Sequence, residues 1–151
     1  MKTTIQNIVA INLIQWYKDS STYERLSSLP LKIQWVLRKN MKVLEPISNT
    51  FNEFKDDLTK KRNEVWFVEG NGRCEKTTDD NGEEILKIKE ECLEDFYKYD
   101  EELNKQIKEI VEEETEVDLQ PMDIEELLEL DNIDLNIDDL EMLNAFTLEG
   151  E

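Results

Sequence analysis

The chain has 151 residues, of which 37 are acidic, 18 are basic and none is histidine, so its formal net charge is −19 at pH 7. The absence of histidine and the presence of only two cysteines exclude a zinc site of the His/Cys type and remove the usual general base near neutral pH. No apolar run approaches the roughly 18 residues of a membrane span, and the N-terminal residues do not form a secretory signal. We therefore expect a non-enzymatic cytoplasmic protein without cofactor or metal.

The charge is unevenly distributed along the sequence. Residues 1–62 hold eleven basic and six acidic residues, whereas residues 109–151 hold seventeen acids and no base. The last third is therefore a polyanion attached to a mildly cationic front part.

Residues 3–18 are predicted to form a first helix. Thr3 or Thr4 can serve as its N-cap, and its apolar face is unusually wide. That face comprises Ile5, Ile8, Val9, Leu13 and Trp16, widened by Ile11, Ile14 and Tyr17. The polar run 19–22 is expected to end the helix.

A long apolar stripe organises the middle of the chain. Its members recur at steps of three or four, except for one gap at Arg62, as is typical of one face of an α-helix. They are Ile33, Leu37, Met41, Leu44, Ile47, Phe51, Phe54, Leu58 and Val65. Pro46 lies inside this run and either kinks one helix or separates two. The kink is favoured because the stripe keeps its phase on both sides.

A second stripe follows after glycines 70 and 72, and comprises Cys92, Phe96, Tyr99, Leu103, Ile107 and Ile110. The two stripes predict a mainly α fold built on a long, coiled-coil-like antiparallel helical hairpin. Between them, the Asn81-Gly82 pair is typical of a small β-hairpin joining 73–78 to 83–88. An irregular loop is the alternative there, and 65–68 is either the frayed end of the long helix or a short strand.

Short acidic helices are predicted near the C-terminus. Residues 115–120 alternate polar and apolar side chains, as a short extended segment does. Asp123 with Glu126 three residues later forms a capping box for a helix over 124–130. Asn136 with Asp139 three residues later does the same for a helix over 137–146. We expect a helical domain over residues 1–115 and an acidic segment over 116–151 that docks on it.

Several short motifs resemble a family of uncharacterised small proteins encoded by phages and prophages of low-GC Gram-positive bacteria. They are Leu29-Pro-Leu-Lys-Ile33, Arg38-Lys-Asn40 with Leu44, Thr115-Glu-Val-Asp-Leu119 and Asp123-Ile-Glu-Glu-Leu127. Residues 63–88 depart from the family's pattern. The resemblance implies a phage or prophage origin and carries no activity or site residue with it.

The acidic segment is the favoured binding element. It combines many acids with regularly spaced Leu, Met and Phe residues, too many for simple solvation. The candidate partner-binding residues are Asp123, Glu125, Glu126, Glu129, Asp131, Asp134, Asp138, Asp139 and Glu141. We expect them to meet a protein partner with a basic surface, such as the nucleic-acid-binding site of a host defence or regulatory protein; a virion assembly factor or minor structural component is the alternative.

The long helix also carries a set of cations with Trp35 among them. They are Lys32, Arg38, Lys39, Lys42, Lys60, Lys61 and Arg62. Such a pattern occurs in nucleic-acid readers, but the negative net charge repels a phosphate backbone. We therefore expect these cations to face acidic parts of the same protein, with no direct nucleic-acid partner and no membrane partner. A homodimer stays open.

Overall fold

The computed structural model describes residues 2–130 and 133–147, with the backbone alone for Ile124 and Leu128. It is mainly helical, as predicted. The elements in chain order are β1 (Lys2–Gln6), α1 (Asn7–Lys18), α2 (Ser20–Leu26), α3 (Leu31–Trp66), β2 (Cys74–Thr78), β3 (Glu84–Ile88), α4 (Leu93–Glu112), β4 (Glu114–Asp118), α5 (Ile124–Leu128) and α6 (Ile137–Leu143). Single 3₁₀ turns cover Glu90–Cys92 and Asn144–Phe146.

The contacts of the chain group it into two units. The first unit comprises Met1–Asn49 and Glu112–Glu151, and the second comprises Thr50–Val111. Helix α3 supplies residues to both. The first unit contains residues from both sides of the expected boundary between a 1–115 domain and a 116–151 segment. That boundary therefore stays a prediction.

The first unit is held together by a two-stranded antiparallel sheet of β1 and β4. Thr3 lies opposite Val117 and Ile5 opposite Thr115, and the backbone N–H of Asn7 donates to the carbonyl of Glu113 at 2.9 Å. The extended segment predicted at 115–120 is confirmed as β4. The helix predicted from residue 3 is wrong at its start, because residues 2–6 pair with a strand that lies more than a hundred residues later.

Helix α1 therefore begins at Asn7, without a threonine cap. Its buried face is Ala10, Ile11, Leu13, Ile14 and Trp16, while Val9 remains exposed. The face is thus rotated from the predicted one. Asp19 does not simply end the helix: its carboxylate accepts hydrogen bonds from the backbone N–H groups of Ser21 and Thr22 and so starts α2.

A deep apolar core fills the first unit. Helices α1 and α3 contribute Leu13, Leu37 and Leu44, and the C-terminal segment contributes Leu119, Leu143 and Phe146, each of which is at most 1% exposed. All six belong to one packed cluster. Leu119, Leu143 and Phe146 of the acidic segment are therefore buried together with the N-terminal part of the chain, whereas Ile137 is exposed.

Helix α3 is continuous from Leu31 to Trp66 with Pro46 inside it, so the alternative of two separate helices is wrong. The predicted stripe is buried at Leu37, Met41 and Leu44 only. Farther along, Phe51 is half-buried and Phe54 is exposed. Pairing of the two stripes along a coiled-coil-like hairpin therefore stays a prediction.

The second unit contains the predicted β-hairpin, whose strands β2 and β3 pair with Cys74 opposite Ile88 and Thr78 opposite Glu84. The Asp79 carboxylate accepts from the backbone N–H groups of Asn81 and Glu83, and Gly82 has the positive φ of 82° that the turn requires. The irregular-loop alternative is wrong.

A small aromatic cluster accompanies this hairpin. Trp66 makes edge contacts with Phe96 and Tyr99 at centroid distances of 5.5 and 5.8 Å, and the Arg73 guanidinium lies 4.9 Å from the Trp66 ring centroid. Cys74 and Cys92 are free thiols. Helix α4 contains no fully buried residue, so the core of this unit is shallow.

Candidate protein-binding site

The acidic residues of the C-terminal segment are presented by two capped helices. The Asp123 carboxylate accepts hydrogen bonds from the backbone N–H groups of Glu125 and Glu126, which confirms it as the N-cap of α5. Because the cap fixes the first turn of α5, the side chains of Glu125 and Glu126 extend into solvent.

Helix α6 begins with the predicted capping box. The Asn136 side chain accepts from the backbone N–H of Asp139, and the Asp139 carboxylate accepts from the backbone N–H of Asn136 at 3.1 Å. The same carboxylate also accepts from Trp16 Nε1 at 2.9 Å and from Arg25 Nε at 2.7 Å. One aspartate therefore caps α6 and joins it to α1 and α2.

Asp139 is completely buried. Burial alone raises the pKa of its carboxyl, but hydrogen bonds from Arg25, Trp16 and the backbone N–H of Asn136 outweigh burial and hold the pKa below its ordinary value. Asp139 is thus ionised in the folded protein and is unavailable to a partner.

A second polar contact secures the chain between β4 and α5. The Asn40 side chain, 1% exposed on α3, donates to the carbonyl of Gln120 and accepts from its backbone N–H, at 2.9 and 2.8 Å. This pair of hydrogen bonds satisfies the buried amide completely on one backbone unit. It also sets the position at which Pro121 leads into α5.

Of the nine acids predicted to bind a partner, seven are exposed. They are Asp123, Glu125, Glu126, Glu129, Asp134, Asp138 and Glu141. Within the described ranges 2–130 and 133–147, the ion pairs of the protein do not include these seven. Asp139 is the buried exception, and Asp131 lies outside the described residues.

A pocket of about 630 Å³ adjoins the acids of α5. Its apolar lining comes from Ile33 and Val36 of α3 and from Met122 and Leu127. Its polar lining is Lys32, Asp123, Glu125, Glu126, Asn144 and Thr147, and Pro121 completes it. A cavity with an apolar floor and an acidic rim suits a side chain with an apolar stem and a cationic head.

Three cations of α3 lie outside the ion pairs found among the described residues. Arg38, Lys39 and Lys42 are exposed, and in the part of the chain that the structure describes their ion pairs with acids are absent. The amino group of Lys39 instead lies 5.4 Å from the Trp35 ring centroid. Arg25 and Asn40 bind the segment through Asp139 and Gln120. That Arg38, Lys39 and Lys42 face acidic parts of the protein stays a prediction.

Sequence reasoning missed the lining of the pocket and the role of Arg25. Met122 and Leu127 were recognisable as apolar members of the segment, but no local pattern pairs them with Ile33 and Val36.

The described residues contain no group of three or more His, Cys, Asp or Glu side chains that could hold a metal ion. Their helices are also too short or too polar to cross a membrane.

Fold and site together define a mainly helical protein whose acidic segment is folded into its larger core and presents an acidic, pocketed surface. Comparisons with family models, with curated proteins and with solved structures find no match for this chain. The resemblance to phage and prophage proteins therefore stays a prediction.

Proposed function

We propose that this chain is a non-enzymatic phage or prophage protein that acts in the host cytoplasm by binding a basic surface on another protein. The observation that carries the proposal is the pocket beside α5, where Glu125 and Glu126 stand exposed above an apolar floor. A cationic side chain of a partner gains both burial of its stem and neutralisation of its charge there.

Rigid presentation of the acids supports this reading. Asp123, Asn136 and Asp139 cap the two short helices, so the acidic side chains are attached to ordered backbone and a partner does not have to order it. The net charge of −19 adds long-range attraction to a cationic surface and speeds encounter. The proposed partner is a nucleic-acid-binding protein of the host, whose basic site the acidic surface covers.

The test compares two variants with equal charge in a pull-down from host extract, read by mass spectrometry. Glu125→Gln, Glu126→Gln and Glu129→Gln neutralise the acidic surface. The matched control, Glu101→Gln, Glu102→Gln and Glu109→Gln, removes the same charge from exposed positions of α4.

We expect basic proteins to be retained by the wild type and the control and lost from the first variant. Equal retention by all three proteins contradicts the proposal. Recovery of virion components instead of basic host proteins favours the assembly-factor alternative.

A further inference from the structure

We propose that the exposed face of α3 beside the pocket is a dimer interface that binds the acidic α5 surface of a second copy of this chain. The face consists of Leu31, Trp35, Arg38, Lys39 and Lys42, spaced three or four residues apart on one side of the helix, and is called here the cationic stripe. Leu31 is 81% exposed and Trp35 is 58% exposed. An exposed indole and leucine between cations form an apolar anchor surrounded by charge, as the centres of protein interfaces do.

Residues next to the cationic stripe on α3 line the same pocket as the acids of α5. At 3.6 residues per turn, Lys32 and Val36 lie on the side of α3 adjacent to Trp35, and both line the pocket that Glu125 and Glu126 also line. Each molecule therefore presents a cationic and an acidic surface next to one another.

Adjacent surfaces of opposite charge are self-complementary under a two-fold axis. An axis at the pocket places the stripe of each copy against the acids of the other. The contact between stripe and acids therefore forms twice in one dimer. The exposed Trp35 of one copy then meets the pocket of its partner, which has the apolar floor that an indole requires.

Charge decides in favour of a second copy over nucleic acid. A phosphate backbone on the stripe also meets Glu125 and Glu126 beside it, and it carries no cations that could neutralise them. A second copy supplies acids for the stripe and cations for the acids. The interface needs no foreign partner, and a basic partner of the kind proposed above competes with the second copy for the pocket.

The test is sedimentation equilibrium of the purified full chain over a range of concentrations. Added salt weakens both the repulsion between two negatively charged copies and the attraction between stripe and acids. Because these effects oppose each other, charge reversal tests the interface more directly than salt dependence does. Trp35→Ala is expected to raise the dimer dissociation constant about thirtyfold, the loss typical of an interface hot spot. Arg38→Glu with Lys39→Glu, and separately Glu125→Lys with Glu126→Lys, are each expected to give monomers.

Mixing the two charge-reversed proteins must restore a dimer, because each then meets the opposite charge on the other. The control protein carries Lys60→Glu and Lys61→Glu in place of the substitutions in the stripe, which make the same change of charge at exposed positions of the second unit. When this control is mixed with the Glu125→Lys, Glu126→Lys protein, it must form no more dimer than the wild type forms in the same mixture. Circular dichroism establishes that each variant keeps its helices.

Three results overturn the inference. They are a wild-type chain that is monomeric at every concentration, a dimer that Trp35→Ala and the reversals leave unchanged, and a monomer that retains duplex DNA through the stripe. Because the measurement uses pure protein, its failure leaves the pull-down test of the proposed function unaffected.

Discussion

The two units of the chain differ in how their cores are built. Among the described residues, the first unit buries sixteen apolar side chains in one cluster, whereas the second buries only Trp66, Cys74 and Ile88. The first core joins segments from both ends of the chain, as the Trp16–Asp139 hydrogen bond does. The second core consists of the β2–β3 hairpin and aromatic residues that lie closer together in the sequence than the members of the first core do. Deep burial gives the first unit a large hydrophobic stabilisation, so substitutions there should cost more free energy than substitutions in the second.

The largest effect should come from truncation after Thr115. This change removes six members of the larger cluster, which are Val117, Leu119, Met122, Leu127, Leu143 and Phe146. We expect a lower thermal midpoint and binding of a hydrophobic dye, because the remaining apolar faces of α1 and α3 are left without their partners. In the intact protein, complete amide exchange across 137–146 within seconds would contradict the packing on which this expectation rests.

Phe146→Ala should cost about 3–5 kcal/mol of unfolding free energy, because its fully buried ring leaves a cavity. The matched control is Phe54→Ala in the second unit, whose side chain is 39% exposed; its cost should stay below about 1 kcal/mol. Urea denaturation measures both. Similar losses in the two variants would remove the contrast between the units.

Asp139→Asn should cost about 2–3 kcal/mol near neutral pH, because it removes charged hydrogen bonds to Arg25 and Trp16. The native pKa of Asp139 is lowered, so the ionised carboxylate contributes stability that is fully present above its unfolded value of about 3.9 and is lost as the pH falls through the native value. The difference between variant and wild type should therefore shrink in acid. A difference that is constant with pH would show that the charge of Asp139 is not what holds the segment.

Phe96→Leu tests the second unit. The substitution removes edge contacts with Trp66 and Phe67 and should cost about 0.5–1.5 kcal/mol beyond the area lost. Hydrogen exchange should become faster in β2, β3 and the start of α4. Equal acceleration in α1 and α6 would show that the two cores unfold as one.

Pro46→Ala should have the smallest effect. Alanine restores a backbone N–H and has a better helix propensity, and Pro46 is exposed within a continuous helix. We expect a change within about 1 kcal/mol in the stabilising direction, measured in urea. A strong loss would show that the proline conformation itself is required there.

Local chemistry in the sequence determined the elements whose signals are short in range. The apolar period predicted α3 and α4, the Asn81-Gly82 turn predicted the β2–β3 hairpin, and the caps at Asp123 and Asn136 predicted α5 and α6. These features depend on side chains within one turn or one hairpin of each other, so a single stretch of sequence contains their cause.

Only the tertiary structure decided the rest. The sequence predicted residues 3–6 as the start of a helix, whereas β4 makes them a strand by supplying their hydrogen-bond partners. In the sequence, Asp139 differs from its exposed neighbour Asp138 by its capping-box spacing from Asn136, but only the positions of Trp16 and Arg25 make it a buried anchor. In the same way, Asn40 of α3 binds the backbone of Gln120, which immediately precedes the pocket-lining residues Pro121 and Met122. Pairings over more than a hundred residues leave no periodic trace in the sequence, since they depend on which distant groups the packing of the core brings together.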